Sequence, residues 1–154
     1  MTHRSPDTLR TAFFAGSFNP YTAGHHSIVE RGLRLFDKIV IGIGVNIEKT
    51  DPADVASRAA SIRKIYADEP RVEVACYNDL TVDAARRHGA EFLLRGARSV
   101  KDFEYERTLA DVNRRIGNGI ETVILPALPE LEWLSSTVLR DMAMHGRDIR
   151  PYLP

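Results

Sequence analysis

The sequence predicts an α/β fold: a single doubly wound domain around a five-stranded parallel sheet. Three observations predict it. Short apolar runs alternate with amphipathic stretches along the chain, the pattern of successive βαβ units. Those runs are continuous and rich in β-branched residues, as in Ile39-Val40-Ile41, which suits strands covered on both faces. The 154 residues suffice for one hydrophobic core, and no linker, internal repeat or low-complexity segment divides them.

The elements follow in order. Residues 1–10 are polar and mixed in charge, lack the apolar segment of a signal peptide, and read as a flexible leader to a domain spanning 11–154. Strands are expected at 11–15, 38–45, 71–76, 92–94 and 121–125, with helices near 24–36, 53–66, 79–88, 99–116 and 135–144. Cys76, closing the third strand, is expected to be a buried small hydrophobe. Ser99 followed by Asp102 forms a capping box, with Tyr105, Leu109, Val112 and Ile116 as the apolar stripe behind it. Gly117-Asn118-Gly119 closes that helix. Ser135 and Ser136, ahead of Val138, Leu139 and Met142, signal the last N-cap. Trp133 is expected to pack beside this last motif, and Tyr152-Leu153 to dock on the core or on a neighbouring subunit.

Composition narrows the function. Twenty-one basic residues balance 21 acidic ones, which argues against a general electrostatic grip on nucleic acid. The longest apolar run, 39–45, is far too short to span a bilayer. One cysteine excludes an intrachain disulfide and fits a reducing cytoplasm.

A parallel sheet collects functional groups at the carboxyl ends of its strands. After the first strand comes Gly16-Ser17-Phe18-Asn19-Pro20-Tyr21-Thr22-Ala23-Gly24-His25. Gly16 permits a tight turn, and Gly24 lets an anion approach helix-start amides, to which His25 adds a donor. An ordinary turn with a half-exposed histidine is the plain alternative. His25 and His26 point in different directions and have no Glu or Cys at ligand spacing, so they make a poor zinc site. His26 is expected to face solvent or to pack. Arg95-Gly96-Ala97-Arg98, read as following the fourth strand, suits bidentate phosphate recognition, or else a surface turn paired with Asp102 and Glu104. Leu134-Ser135-Ser136-Thr137-Val138-Leu139-Arg140 offers hydroxyls and free amides to phosphate, with Arg140 one turn in as a possible phosphate contact. Alone, it reads equally as a cap with a surface arginine. Lys49 follows the second strand on the same rim.

Together these motifs resemble the nucleotidylyltransferase superfamily, with Thr22-Ala23-Gly24-His25 as its (H/T)xGH motif and Leu134 to Arg140 as its ISSTxxR-like motif. Threonine at 22, Arg95-Gly96-Ala97-Arg98 and Asp102-Phe103-Glu104-Tyr105-Glu106 are similar specifically to the phosphopantetheine adenylyltransferase family. The resemblance extends from about Thr11 to the last residue, through Asp79-Leu80-Thr81 and Asp111-Val112-Asn113. It implies a Rossmann-like domain that transfers the adenylyl group of ATP to 4′-phosphopantetheine, with Mg²⁺, commonly as a hexamer of two trimers. It implies further that His25, Lys49 and Arg98 are catalytic. Ser17, Phe18, His25, Arg98, Glu106, Ser135, Ser136 and Thr137 would hold ATP, with Glu106 near the ribose and adenine. Ser17, Lys49, Leu80, Thr81, Arg95 and Asn113 would hold the acceptor.

The chain also departs from the family. Ser17-Phe18-Asn19-Pro20 replaces the usual Thr-Phe-Asp-Pro, keeping the hydroxyl but losing a negative charge. Segment 50–58 lacks the usual Leu-Glu-Glu-Arg wording, with only Arg58 in place, and the chain stops at Pro154 where many relatives continue into a terminal helix.

The implied chemistry is in-line attack by the acceptor's phosphate oxygen on the α-phosphorus, releasing pyrophosphate. That nucleophile is already anionic, so no general base is needed. The obstacle is repulsion, about 4 kcal/mol for each like-charge pair 4 Å apart at an effective dielectric near 20. Mg²⁺ is expected to ride mainly on the triphosphate. A sister adenylyltransferase or cytidylyltransferase is the nearest rival, though those usually carry His where Thr22 stands. A non-catalytic nucleotide-binding paralogue is the second, favoured only by Asn19 and segment 50–58.

Overall fold

The computed structural model describes residues 8–154. Among them, five strands and five α-helices alternate: β1 (Thr11–Gly16), α1 (Ala23–Gly32), β2 (Lys38–Gly44), α2 (Pro52–Ile65), β3 (Val72–Tyr77), α3 (Thr81–Arg87), β4 (Phe92–Ala97), α4 (Val100–Ile116), β5 (Glu121–Pro126) and α5 (Ser136–Met144). Short 3₁₀ turns occupy Pro129–Leu131 and Arg150–Tyr152. All strand pairs are parallel, in the order β3-β2-β1-β4-β5. The chain winds outward from β1 to β3, then returns to lay β4 on the other side of β1. Strand order therefore reverses between β1 and β4, where a doubly wound sheet opens a crevice at its carboxyl ends.

Alternation along β1 explains the double winding. Ala12 and Phe14 join Ile28, Val29, Ile41, Ile62 and Leu94 on the face covered by α1 and α2. Phe13 and Ala15 join Val40, Ala84, Ala85 and Leu93 on the face covered by α3. Each fully buried Ile, Leu or Phe contributes about 1.5–3 kcal/mol relative to exposure. Gly42 is needed here, because a Cβ on it would stand 2.1 Å from the Phe13 ring.

Several expectations need correction. The leader falls mostly on residues 1–7, outside the described residues; Arg10 is already tied down, its N–H donating to Asp37 Oδ2 at 2.7 Å. Helix α1 ends at Gly32 rather than 36, because 34 and 35 turn back onto the carbonyls of 31 and 32. β4 runs to Ala97, so Arg95 and Gly96 lie inside the strand, paired with Ile124 and Leu125. Cys76 is exposed, since β3 is a sheet edge. Most of the α4 stripe faces outward: Tyr105, Val112 and Ile116 are 62%, 45% and 49% exposed, while among the described residues of this helix only Glu106 is buried. Ser99 caps α4 by accepting from the Asp102 N–H at 3.1 Å, but the Asp102 carboxylate takes the Arg98 N–H and not that of Ser99. The altered 50–58 segment starts a regular helix, with Asp51 accepting from Ala53 N–H at 2.9 Å and Pro52 in the first turn.

Candidate active site

The β1–α1 turn is held by its own carbonyls. Phe18 is buried at φ 48°, and its ring lies 2.9 Å from where a Cβ on Gly16 would stand, which explains the glycine. Arg58 Nη1 donates to the Ser17 carbonyl at 2.9 Å, Arg140 Nη1 to the Asn19 carbonyl at 2.6 Å, and Ser136 Oγ to the Pro20 carbonyl at 2.7 Å. Side chains from α2 and α5 thus fasten one loop.

Thr22 and His25 form a reciprocal cap. Thr22 Oγ1 accepts from the His25 N–H at 3.3 Å, and the Thr22 N–H donates to His25 Nδ1 at 2.9 Å. Because Nδ1 is occupied as an acceptor, the neutral ring carries its proton on Nε2. The imidazole stacks on Tyr21, with centroids 5.4 Å apart, and meets the edge of Phe18 at 5.0 Å. Burial, reinforced by Arg95 and Arg98, pushes its pKa down to about 4. At neutral pH His25 is an uncharged N–H donor.

Arg95 and Arg98 are three residues apart and behave differently. Arg95 gives Nε and Nη2 to the two Glu106 oxygens at 2.8 and 2.7 Å, and Nη1 to the Ala15 carbonyl at 2.5 Å. Burial works against its charge, but the Glu106 bonds raise its pKa above the ordinary arginine value. Arg98 is exposed and holds Asp102 loosely, at 3.5 Å. At α5, Ser135 caps by accepting from the Val138 N–H at 3.1 Å, and Thr137 Oγ1 accepts from Arg140 Nη2 at 3.2 Å.

These groups border two cavities. One, of about 340 Å³, lies between the β1–α1 turn, the end of β4 and the start of α5; Phe18, Gly24, His25, Arg98 and residues 135–137 line it. The other, of about 310 Å³, is lined by Tyr77, Thr81, Glu106, Asn113 and Thr122. Both touch Ala15, Gly16, Ser17 and Arg95, which form the seam between them. The sequence therefore grouped most residues as the fold does. Four residues are exceptions. Glu106, expected beside ATP, sits under the second cavity, where Arg95 pairs with it. Lys49 stands in an exposed turn, its N–H bonded to the Asn46 carbonyl at 3.0 Å, and lines neither cavity. Leu80, 57% exposed, precedes α3 and also lines neither. Arg140 is engaged with the Asn19 carbonyl and lines neither.

Sequence reading missed Tyr77, whose hydroxyl meets Thr81 Oγ1 at 3.0 Å, and the strap from Arg58. The rule that carboxyl ends of strands carry function pointed to Tyr77, at the end of β3, but no charge or motif in the sequence singles it out. Trp133 stays half exposed, donating to the Glu130 carbonyl and meeting Tyr152 edge-on at 5.1 Å. Among the described residues, no group of three or more His, Cys, Asp or Glu is placed to hold a metal ion.

A family model described as cytidylyltransferase-like matches residues 13–142. A phosphopantetheine adenylyltransferase of Phocaeicola vulgatus is 47% identical over 146 residues, covering 95% of this chain and 96% of that protein. Another, from Bacteroides fragilis, is 47% identical over 146 residues, with 95% and 97% covered. Among solved structures, a Francisella tularensis bifunctional NMN adenylyltransferase/ADP ribose pyrophosphatase, complexed with AMP and an Mn ion, superposes with a TM-score of 0.66 at 14% identity. It covers 95% of this chain but only 44% of that longer one, and this likeness speaks to the fold alone.

Proposed function

The chain belongs to the cytidylyltransferase-like family and, within it, to the phosphopantetheine adenylyltransferases, and from that membership we infer that it transfers the adenylyl group of ATP to 4′-phosphopantetheine. The products are dephospho-coenzyme A and pyrophosphate, a step of coenzyme A biosynthesis. The observation that best supports this reading is the pair of cavities meeting at Ser17 and Arg95, with His25 on the first. ATP takes the cavity between the β1–α1 turn and α5, the pantetheine arm takes the cavity over Thr81 and Asn113, and the two phosphates meet at the seam.

The acceptor phosphate is anionic at neutral pH and attacks without a general base, which suits a His25 too weakly basic to serve as one. His25 instead points an Nε2–H at charge developing on the α-phosphate, alongside the amides at the start of α5. Arg98 supplies the available positive charge. Arg95 contributes direction more than net charge: Glu106 offsets it, but each Nη keeps a second hydrogen for the acceptor phosphate. Lys49, on the exposed turn after β2, is assigned to the acceptor phosphate by the family resemblance alone. Mg²⁺, carried mainly by the ATP phosphates and water, would offset the charge of the triphosphate. The outward apolar stripe of α4, with Phe103 also 48% exposed, supports burial of that face between copies, in a hexamer. No helix among the described residues is long and apolar enough to cross a membrane.

The test is pyrophosphate release from ATP and Mg²⁺ with 4′-phosphopantetheine or nicotinate mononucleotide as acceptor. Release is expected only with the former, together with dephospho-coenzyme A. Release only with the mononucleotide would overturn the acceptor. No release with either, despite measurable ATP binding, would mark a non-catalytic paralogue.

A further inference from the structure

His25 is not held by its cap alone. Its ring rests on Tyr21, tilted only 22° from parallel, and Tyr21 is itself buried. The Tyr21 hydroxyl meets the Tyr66 hydroxyl at 2.5 Å in the interior. Tyr66 lies 2.9 Å from His26 Nδ1, and His26 Nε2 stands 3.1 Å from Glu30 Oε1 at the surface. A line of polar groups thus runs from beneath His25, across the C-cap of α2, to the exposed side of α1.

Proton counting gives this line a direction. An ionised carboxylate only accepts, so His26 Nε2 donates to Glu30 and, in the neutral ring, Nδ1 accepts. Tyr66 then donates to His26 and accepts from Tyr21. Burial raises the pKa of both phenols, which keeps them protonated as this order requires. Stability alone does not explain the hydroxyls, because replacing both partners of a buried bond with apolar groups of the same shape is close to neutral. Their shared effect is to fix the plane of Tyr21, the surface on which the imidazole lies.

We propose that Tyr21, Tyr66, His26 and Glu30 form a positioning relay that sets the aim of His25 at the reacting phosphate. The proposal rests on the reading of His25 as a phosphate donor. Tyr21 and Tyr66 are positioning residues, since they act through the imidazole; a small error in its aim is costly, because misplacing a reacting group by 1 Å can cost about 100-fold.

The test pairs adenylyl-transfer kinetics with nitrogen NMR of the His25 imidazole in the Tyr21→Phe/Tyr66→Phe double variant. Turnover is expected to fall about 10-fold with KM for ATP within about 2-fold, while the His25 ring-nitrogen signals shift and broaden as the imidazole loosens on its Tyr21 support. His26→Leu, which leaves the buried pair in place, should shift both readouts the same way by less. Wild-type turnover and unchanged His25 signals in both variants would overturn the relay. His25→Ala separates the two levels. If it keeps full turnover, the donor role fails and the relay with it; if it loses turnover while the relay variants do not, only the relay fails.

Discussion

The two cavities share a seam, yet their walls are fixed by opposite means. Around the first, cationic side chains hold backbone: Arg58 and Arg140 donate to the carbonyls of Ser17 and Asn19, and the imidazole on its wall, His25, is neutral. Around the second, a cation holds a carboxylate: Arg95 and Glu106 pair across the floor, with Glu106 only 6% exposed. The contrast teaches that basic residues at the end of a sheet need not add up to positive potential. Of Arg95, Arg98 and Arg140, only Arg98 is neither tied to a carbonyl nor closely paired.

The sharpest way to break this comparison is Glu106→Ala. It leaves the Arg95 charge partly buried without its carboxylate, which costs about 3–5 kcal/mol for a buried pair. For a chain of this length that lowers Tm by on the order of 10 °C. Thermal unfolding checks it, and an unchanged Tm would mean that the second cavity does not depend on the pair.

His25→Ala probes the other wall. Removal of one preorganised donor lowers turnover by about 100-fold or more, with a much smaller change in ATP affinity. Steady-state kinetics against ATP binding distinguishes this from a loss of binding alone, which would place His25 outside the reaction.

The same contrast shows what was legible in the sequence. Strand positions and the motifs after β1 and before α5 could be read because hydrophobic period and turn chemistry are local. The rule that strands of a parallel sheet end on one rim pointed to the right turns, and the family resemblance then grouped Ser17, His25, Arg98 and 135–137 among them. The occupancy of each arginine did not follow, because pairing depends on side chains brought together by the fold. Arg140 reaches the Asn19 carbonyl across 121 positions, and Arg58 reaches Ser17 across 41. The α4 stripe misled for a related reason: periodicity marks an apolar face but does not say whether the core or another chain covers it. Glu106 lies on the inner side of that helix, where Arg95 meets its carboxylate.

Acid should separate the two walls. The pKa of His25 lies near 4 when folded, below its ordinary 6.5, so the unfolded chain binds more protons between these values. Stability therefore falls as pH drops through that window, and this histidine alone contributes a loss of about 2 kcal/mol between pH 7 and 5. Arg95 keeps its charge throughout. Denaturant unfolding of the wild type and His25→Gln at both pH values isolates the effect, since contributions of the other histidines cancel. An identical pH dependence in the two proteins would show that His25 is not held neutral by burial.

Arg140→Ala carries the smallest expected effect and bears on whether a cation straps the loop or touches phosphate. A hydrogen bond from a charged donor to a surface carbonyl contributes about 1 kcal/mol, so KM for ATP should rise about 5-fold with turnover nearly kept. The discriminating measurement compares ATP with adenosine. A strap shapes the whole wall from Ser17 to Pro20, so its loss weakens both ligands by the same factor. A phosphate contact acts on the charged ligand alone, and its loss would weaken ATP while leaving adenosine untouched. Equal weakening keeps Arg140 with Arg58 among the groups that hold backbone; selective weakening would move it to the side of Arg98.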